Sequence, residues 1–129
     1  MDVLSAELER STAPLRVLVV DDNEQIVSVI QVLLELEGHE VRTAAGMEEG
    51  YVTYLQFRPD VVLTDIQMPE EEGLELMRRI RVHDPKIKTI YMSGDLGRFR
   101  SLLEEEQKRY KVGLLQKPFS TAELIRLLS

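Results

Sequence analysis

The chain has 129 residues, 43% of them hydrophobic and 30% charged, enough to bury the core of one domain. A formal charge of −7 argues against direct binding to nucleic acid, whose phosphates demand a basic face, and the lack of cysteine excludes disulfides and thiolate metal sites. No apolar run approaches the ~20 residues that span a bilayer, and MDVLSAELERSTAP lacks the basic start and apolar stretch of a secretory signal, so a cytoplasmic protein is expected.

Residues 1–14 read as a polar leader, flexible or a short helix with Val3, Leu4 and Leu8 on one side, and residues 15–129 as the domain proper. From Arg16 onward, short apolar runs alternate with stretches of helical period. The runs are Val17–Val20, Val41–Ala44, Val61–Thr64, Thr89–Met92 and Val112–Gln116. After the first, Ile26, Val29, Ile30, Leu33 and Leu34 keep the spacing of one helix face, and Gly38 ends it. A second helix carries Met47, Tyr51, Tyr54 and Leu55, with Gly50 weakening it from inside. The third runs from about Gly73 to His83 with Leu74, Met77 and Ile80 inward, and Pro85 forbids its continuation. The fourth, over Arg98–Lys108, buries Phe99, Leu102 and Leu103 and turns Glu104, Glu105 and Glu106 to water. The fifth opens with the capping box Ser120-Thr121-Ala122-Glu123 and carries Leu124, Ile125, Leu127 and Leu128. Five strand–helix units whose strands are apolar on both faces predict an α/β fold, a parallel sheet covered by helices on each side.

In such a sheet, ligands bind outside the C-terminal ends of the strands. There the chain places Asp21 and Asp22 after the first strand, Asp65 at the third, Ser93 and Gly94 at the fourth, and Lys117 and Pro118 at the fifth. Two carboxylates about 4 Å apart repel by roughly 4 kcal/mol at an effective dielectric near 20. Three such anions with one lysine ask for a cation. Oxygen ligands with no histidine or cysteine beside them suit Mg²⁺. A phosphoryl group would explain the remaining members. Asp65 could attack phosphorus, Lys117 and the Ser93 hydroxyl could meet its oxygens, and Gly94 leaves room for it.

Plainer readings stand beside these. Asp22 could simply cap the first helix, Asp65 could be a turn acid before Met68-Pro69, Ser93 a turn signal before glycine, and Lys117 a surface residue. His39 and His83 read as surface or turn residues, Tyr51, Tyr54 and Tyr91 as packing, and the Glu104–Glu106 run as a solvated face.

The motifs VLVVDDNE, VVLTDIQMPEEEG, MSG and LQKPF, in this order, resemble the receiver domain of bacterial two-component response regulators, chemotaxis regulators among them, over nearly all of Arg16–Leu128. The resemblance implies the flavodoxin-like strand order 2-1-3-4-5. It implies that Asp65 is the phosphoacceptor, that Asp22 binds Mg²⁺ directly and Asp21 through water, and that the Gln67 backbone carbonyl completes the protein's ligands. It gives Ser93 and Lys117 the hydroxyl and lysine roles and makes the Lys117–Pro118 peptide cis. Two departures stand out: Leu114 occupies a position often held by Tyr or Phe, and the loop after Pro69 carries Glu70, Glu71 and Glu72.

On this reading a sensor histidine kinase or histidine phosphotransfer protein donates a phosphoryl group to Asp65 with Mg²⁺ bound. The helix four–strand five–helix five face then switches and is read by a downstream protein, with no direct nucleic-acid or membrane contact. The domain is a signalling module with limited self-catalysed transfer and hydrolysis, not an enzyme in its own right. With no output domain after Ser129, it is expected to be a stand-alone receiver or a fragment of a larger regulator. Two rivals are a phosphorylation-independent interaction module, favoured by Leu114 and the acidic loop, and an Mg²⁺-dependent phosphohydrolase. The latter usually needs a second acid where this chain has Gln67.

Overall fold

Strand β1 (Arg16–Val20) is the run that opens the domain, and its four valine and leucine side chains are fully buried. Alternate residues of a strand point to opposite faces. Leu18 and Val20 accordingly enter one apolar cluster, and Val17 and Val19 another. The computed structural model describes residues 13–68 and 71–129. The proposed leader, save its last two residues, and Pro69 and Glu70 of the acidic loop lie outside the described residues.

Helix α1 (Glu24–Leu36), β2 (Glu40–Ala44), α2 (Met47–Phe57), β3 (Val61–Asp65), α3 (Glu72–His83) and β4 (Lys88–Ser93) follow β1 in order. A 3₁₀ turn at Leu96–Phe99 leads into α4 (Arg100–Arg109), then β5 (Val112–Gln116) and α5 (Thr121–Leu128). The strands form one parallel sheet in the order β2-β1-β3-β4-β5, as the resemblance implies. One face packs Tyr54, Leu76, Met77, Ile80, Phe99 and Leu103 from α2, α3, the 3₁₀ turn and α4. The other packs Ile30, Leu34, Leu124 and Leu128 from α1 and α5. No helix among the described residues is long and apolar enough to cross a membrane.

Three residues expected inside are exposed: Val29, Leu55 and Leu102. Each adjoins a buried residue, Ile30, Tyr54 or Leu103, and neighbours on a helix point about 100° apart. One of each pair takes the sheet and the other is left outside. Gly50, which looked like a weakness in α2, is a contact. A Cβ there would lie 3.2 Å from Leu76 Cδ2 and 3.4 Å from Val20, so the bare backbone lets α2 settle against both α3 and β1.

The acidic run on α4 is not all solvated. Glu106 is largely buried, and its Oε1 accepts from Arg81 Nη1 at 2.6 Å and from the Tyr91 hydroxyl at 2.5 Å. Arg81 Nη2 donates to Thr89 Oγ1 at 3.2 Å, and the guanidinium lies 3.8 Å from the Tyr110 ring centroid. Burial holds the Tyr91 phenol well above its ordinary range, which keeps it a donor. This cluster ties α4 to α3 and β4. Replacing Glu106 by Ala would leave the Arg81 charge buried without its carboxylate. That change is expected to cost about 3 kcal/mol in a urea denaturation, whereas Glu105→Ala on the exposed face changes little.

Candidate functional site

Parallel pairing brings the C-terminal ends of β1, β3, β4 and β5 to one edge. Asp21, one residue beyond β1, is buried to 1% exposure, and its position is set by its own backbone N–H, which donates to Ala44 O at 3.1 Å. A buried carboxylate needs partners on both oxygens. Asp21 Oδ1 accepts from the Asn23 N–H at 3.0 Å, and Oδ2 accepts from Lys117 Nζ at 2.6 Å. Asp22 beside it is exposed. The helix cap is Asn23, whose side chain accepts from the Gln25 and Ile26 N–H groups, so the capping role considered for Asp22 falls to its neighbour.

Asp65 ends β3, and Lys117 Nζ lies 3.5 Å from its Oδ1. Burial and the Asp21 charge push the Asp65 carboxyl above its usual range, while Lys117 and the Gln67 backbone N–H pull the other way. Its main chain is held closely. A Cβ on Gly73 would sit 2.0 Å from the Asp65 carbonyl oxygen, and the Gly73 N–H donates to Ile66 O at 3.1 Å. Only a glycine fits where α3 starts against the end of β3.

Ser93, the last residue of β4, is fully buried, and its Oγ accepts from the Asp95 N–H at 2.9 Å. Beside it, Gly94 faces open space, with nothing within 4 Å of an added Cβ. The Lys117 N–H donates to Ser93 O at 2.8 Å, which carries the lysine into the cleft rather than out to the surface. The Lys117–Pro118 peptide is cis. Gln67 is half-buried on the loop after β3. The histidines stand apart from this edge: His39 Nδ1 accepts from the Leu15 N–H, and His83 Nε2 lies 2.7 Å from the Tyr51 hydroxyl.

Asp21, Asp22 and Asp65 each offer a carboxylate oxygen within 4.8 Å of the others. One ammonium cannot neutralise three carboxylates, so these oxygens are placed where they could hold a cation, and an all-oxygen donor set suits Mg²⁺. Sequence reasoning missed Asn23, Gly73 and Gln116. Asn before a periodic stretch is a readable cap signal, and Gly73 lies in the first turn of α3. Gln116 carries no such signal. Its side-chain bonds to Gly94 and Leu96 exist only because two strands meet.

Comparison with known proteins gives one consistent answer. Residues 17–129 match the family model described as the response regulator receiver domain. The chain is 30% identical over 119 residues to the transcriptional regulatory protein TrcR of Mycobacterium tuberculosis, covering 90% of this chain and 44% of that protein. It is 31% identical over 112 residues to the DNA-binding transcriptional regulator NtrC of Azospirillum brasilense, covering 87% and 23%. The chain thus spans less than half the length of these relatives. Among solved structures, a receiver domain protein of Clostridium thermocellum superposes with a TM-score of 0.75 at 31% identity, covering 88% of this chain and 90% of that one. The chemotaxis protein CheY4 of Vibrio cholerae does so with a TM-score of 0.77 at 27% identity, covering 90% and 97%.

Two changes test the geometry of the site. Gly73→Ala forces a methyl into the Asp65 carbonyl and is expected to cost at least about 2 kcal/mol, read as a fall in the denaturation midpoint. Lys117→Ala removes the one cation among three carboxylates. Isothermal titration should then show Mg²⁺ bound about tenfold more tightly than by the parent chain.

Proposed function

The chain belongs to the response regulator receiver domain family, and from that premise we propose that it is a phosphorylatable switch with Asp65 as the acceptor. The observation that carries this reading is Lys117. It reaches from β5 to Asp21 at 2.6 Å and Asp65 at 3.5 Å, so one ammonium already stands where charge on Asp65 would grow.

In the proposed transfer an Asp65 oxygen attacks the phosphorus of a phosphohistidine, the P–N bond breaks, and the departing imidazole takes up a proton. Asp21, Asp22, Asp65 and the Gln67 carbonyl would hold Mg²⁺, whose charge offsets that of the phosphoryl oxygens when it is bound. Lys117 Nζ meets a second phosphoryl oxygen, and the Ser93 hydroxyl, whose oxygen already accepts from Asp95, keeps its hydrogen free to donate to a third. Open space at Gly94 admits the group and, later, the water that hydrolyses it.

The donor is a sensor histidine kinase or a histidine phosphotransfer protein. An apolar hollow of about 450 Å³ lined by Ile26, Val29, Pro118 and Phe119 adjoins Lys117 and offers such a protein a dry landing beside the acceptor. A downstream protein reads the α4–β5–α5 face. Self-catalysed transfer and hydrolysis are limited, the setting is cytoplasmic, and neither nucleic acid nor membrane is contacted by the domain itself. The absence of an acid at Gln67 speaks against the phosphohydrolase alternative.

Intact mass after incubation with a small acyl-phosphate donor tests the reading. One phosphoryl adduct is expected with Mg²⁺, none without it, and none in Asp65→Asn. No adduct in the parent chain, together with no binding of beryllofluoride, would leave a phosphorylation-independent interaction module instead.

A further inference from the structure

Gln116 is the last residue of β5 and the register partner of Ser93 on β4. Its side chain is exposed, yet both ends of its amide are used. Nε2 donates to Gly94 O at 2.7 Å and to Lys117 O at 3.0 Å, and Oε1 accepts from the Leu96 N–H at 3.3 Å. A solvated glutamine gives up rotamer freedom to hold three such bonds at once. What they join is specific: the loop that leaves Ser93 and feeds the 3₁₀ turn, and the backbone of Lys117.

We propose that Gln116 is a positioning residue for phosphoryl transfer, a splint that sets the Ser93 hydroxyl and the Lys117 ammonium at the separation one phosphoryl group requires. The inference rests on Asp65 being the acceptor. The two groups lie on different strands, and beyond the ladder the direct tie between them is the Lys117 N–H to Ser93 O bond. The Gln116 amide triangulates that single bond from the side, on the solvent rim of the cleft. Misplacement of a reacting group by about 1 Å is enough to cost a hundredfold in rate, so a rim splint of this kind has leverage. The carboxylate cluster sits on the β1 and β3 side and does not touch Gln116.

The test compares the parent chain with Gln116→Met, which keeps length but no hydrogen-bonding group, and Gln116→Glu, which keeps the acceptor for Leu96 and loses both donations. Phosphorylation by a small acyl-phosphate donor is followed by intact mass, Mg²⁺ affinity by calorimetry, and amide exchange at Leu96 by NMR. In Gln116→Met the rate constant for phosphorylation should fall about tenfold, a change of about 1.4 kcal/mol. The half-saturating donor concentration, Mg²⁺ affinity and melting temperature should hold, and Leu96 should exchange faster. Gln116→Glu should show the slow transfer with Leu96 still protected. Unchanged transfer in both variants overturns the proposal, as does a rate that falls only in step with Mg²⁺ affinity or melting temperature. A parent chain that takes no phosphoryl group overturns the acceptor reading itself, and with it any transfer for Gln116 to position.

Discussion

Lys117 and Asp21 form the pair on which the cleft depends. An anion as buried as Asp21 would be expelled or protonated unless both its oxygens were met, and the Asn23 N–H and the lysine meet them. Charge-assisted contacts at 2.6 Å are strong, but desolvation offsets much of the gain, so the pair is better understood as fixing an arrangement than as supplying stability. What it fixes is the meeting of β1, β3 and β5. Lys117 also lies 3.5 Å from Asp65, which lets two carboxylates stay close on neighbouring strands.

That arrangement needs a scaffold that cannot slide. Because the three central strands, β1, β3 and β4, are buried on both faces, a one-residue slip would exchange the two clusters and move the strand ends that carry the site. Two glycines set the tolerances: Gly50 admits α2 to the sheet, and Gly73 admits the start of α3 to the Asp65 carbonyl. A site held this way is rigid at Asp65. It is looser at the loop after Ser93, which relies on side-chain bonds from Ser93 and Gln116.

Helix α4 shows the same contrast between its faces. Near its C-terminal end Glu106 locks it to Arg81 and Tyr91. Another face of the helix, from Arg100 to Gln107, borders a hollow of about 340 Å³ that Leu96 and Leu114 also line. Leu114, the departure from the usual aromatic, is therefore half-buried at the edge of open space rather than tightly wedged. Tyr91, two residues before Ser93 on the same strand, reaches α4 through its hydroxyl, which donates to Glu106.

Much of this was legible in the chain alone. Runs of valine, isoleucine and leucine alternating with helical spacing specify a covered parallel sheet, because backbone pairing and burial leave few other solutions. The same logic puts Asp21, Asp65, Ser93 and Lys117 at one edge, since the ends of parallel strands must coincide. The sequence did not determine which of two adjacent apolar residues turns inward, as at Val29 and Ile30, because that depends on the angle at which the helix lies on the sheet. Nor did it reveal Glu106, Gly50 or Gln116. A glutamate in an acidic run, a glycine in a helix and a glutamine at a strand end have no local mark of their roles. Those roles come from Arg81, Leu76 and Gly94, residues distant in sequence that only the folded chain brings within contact distance.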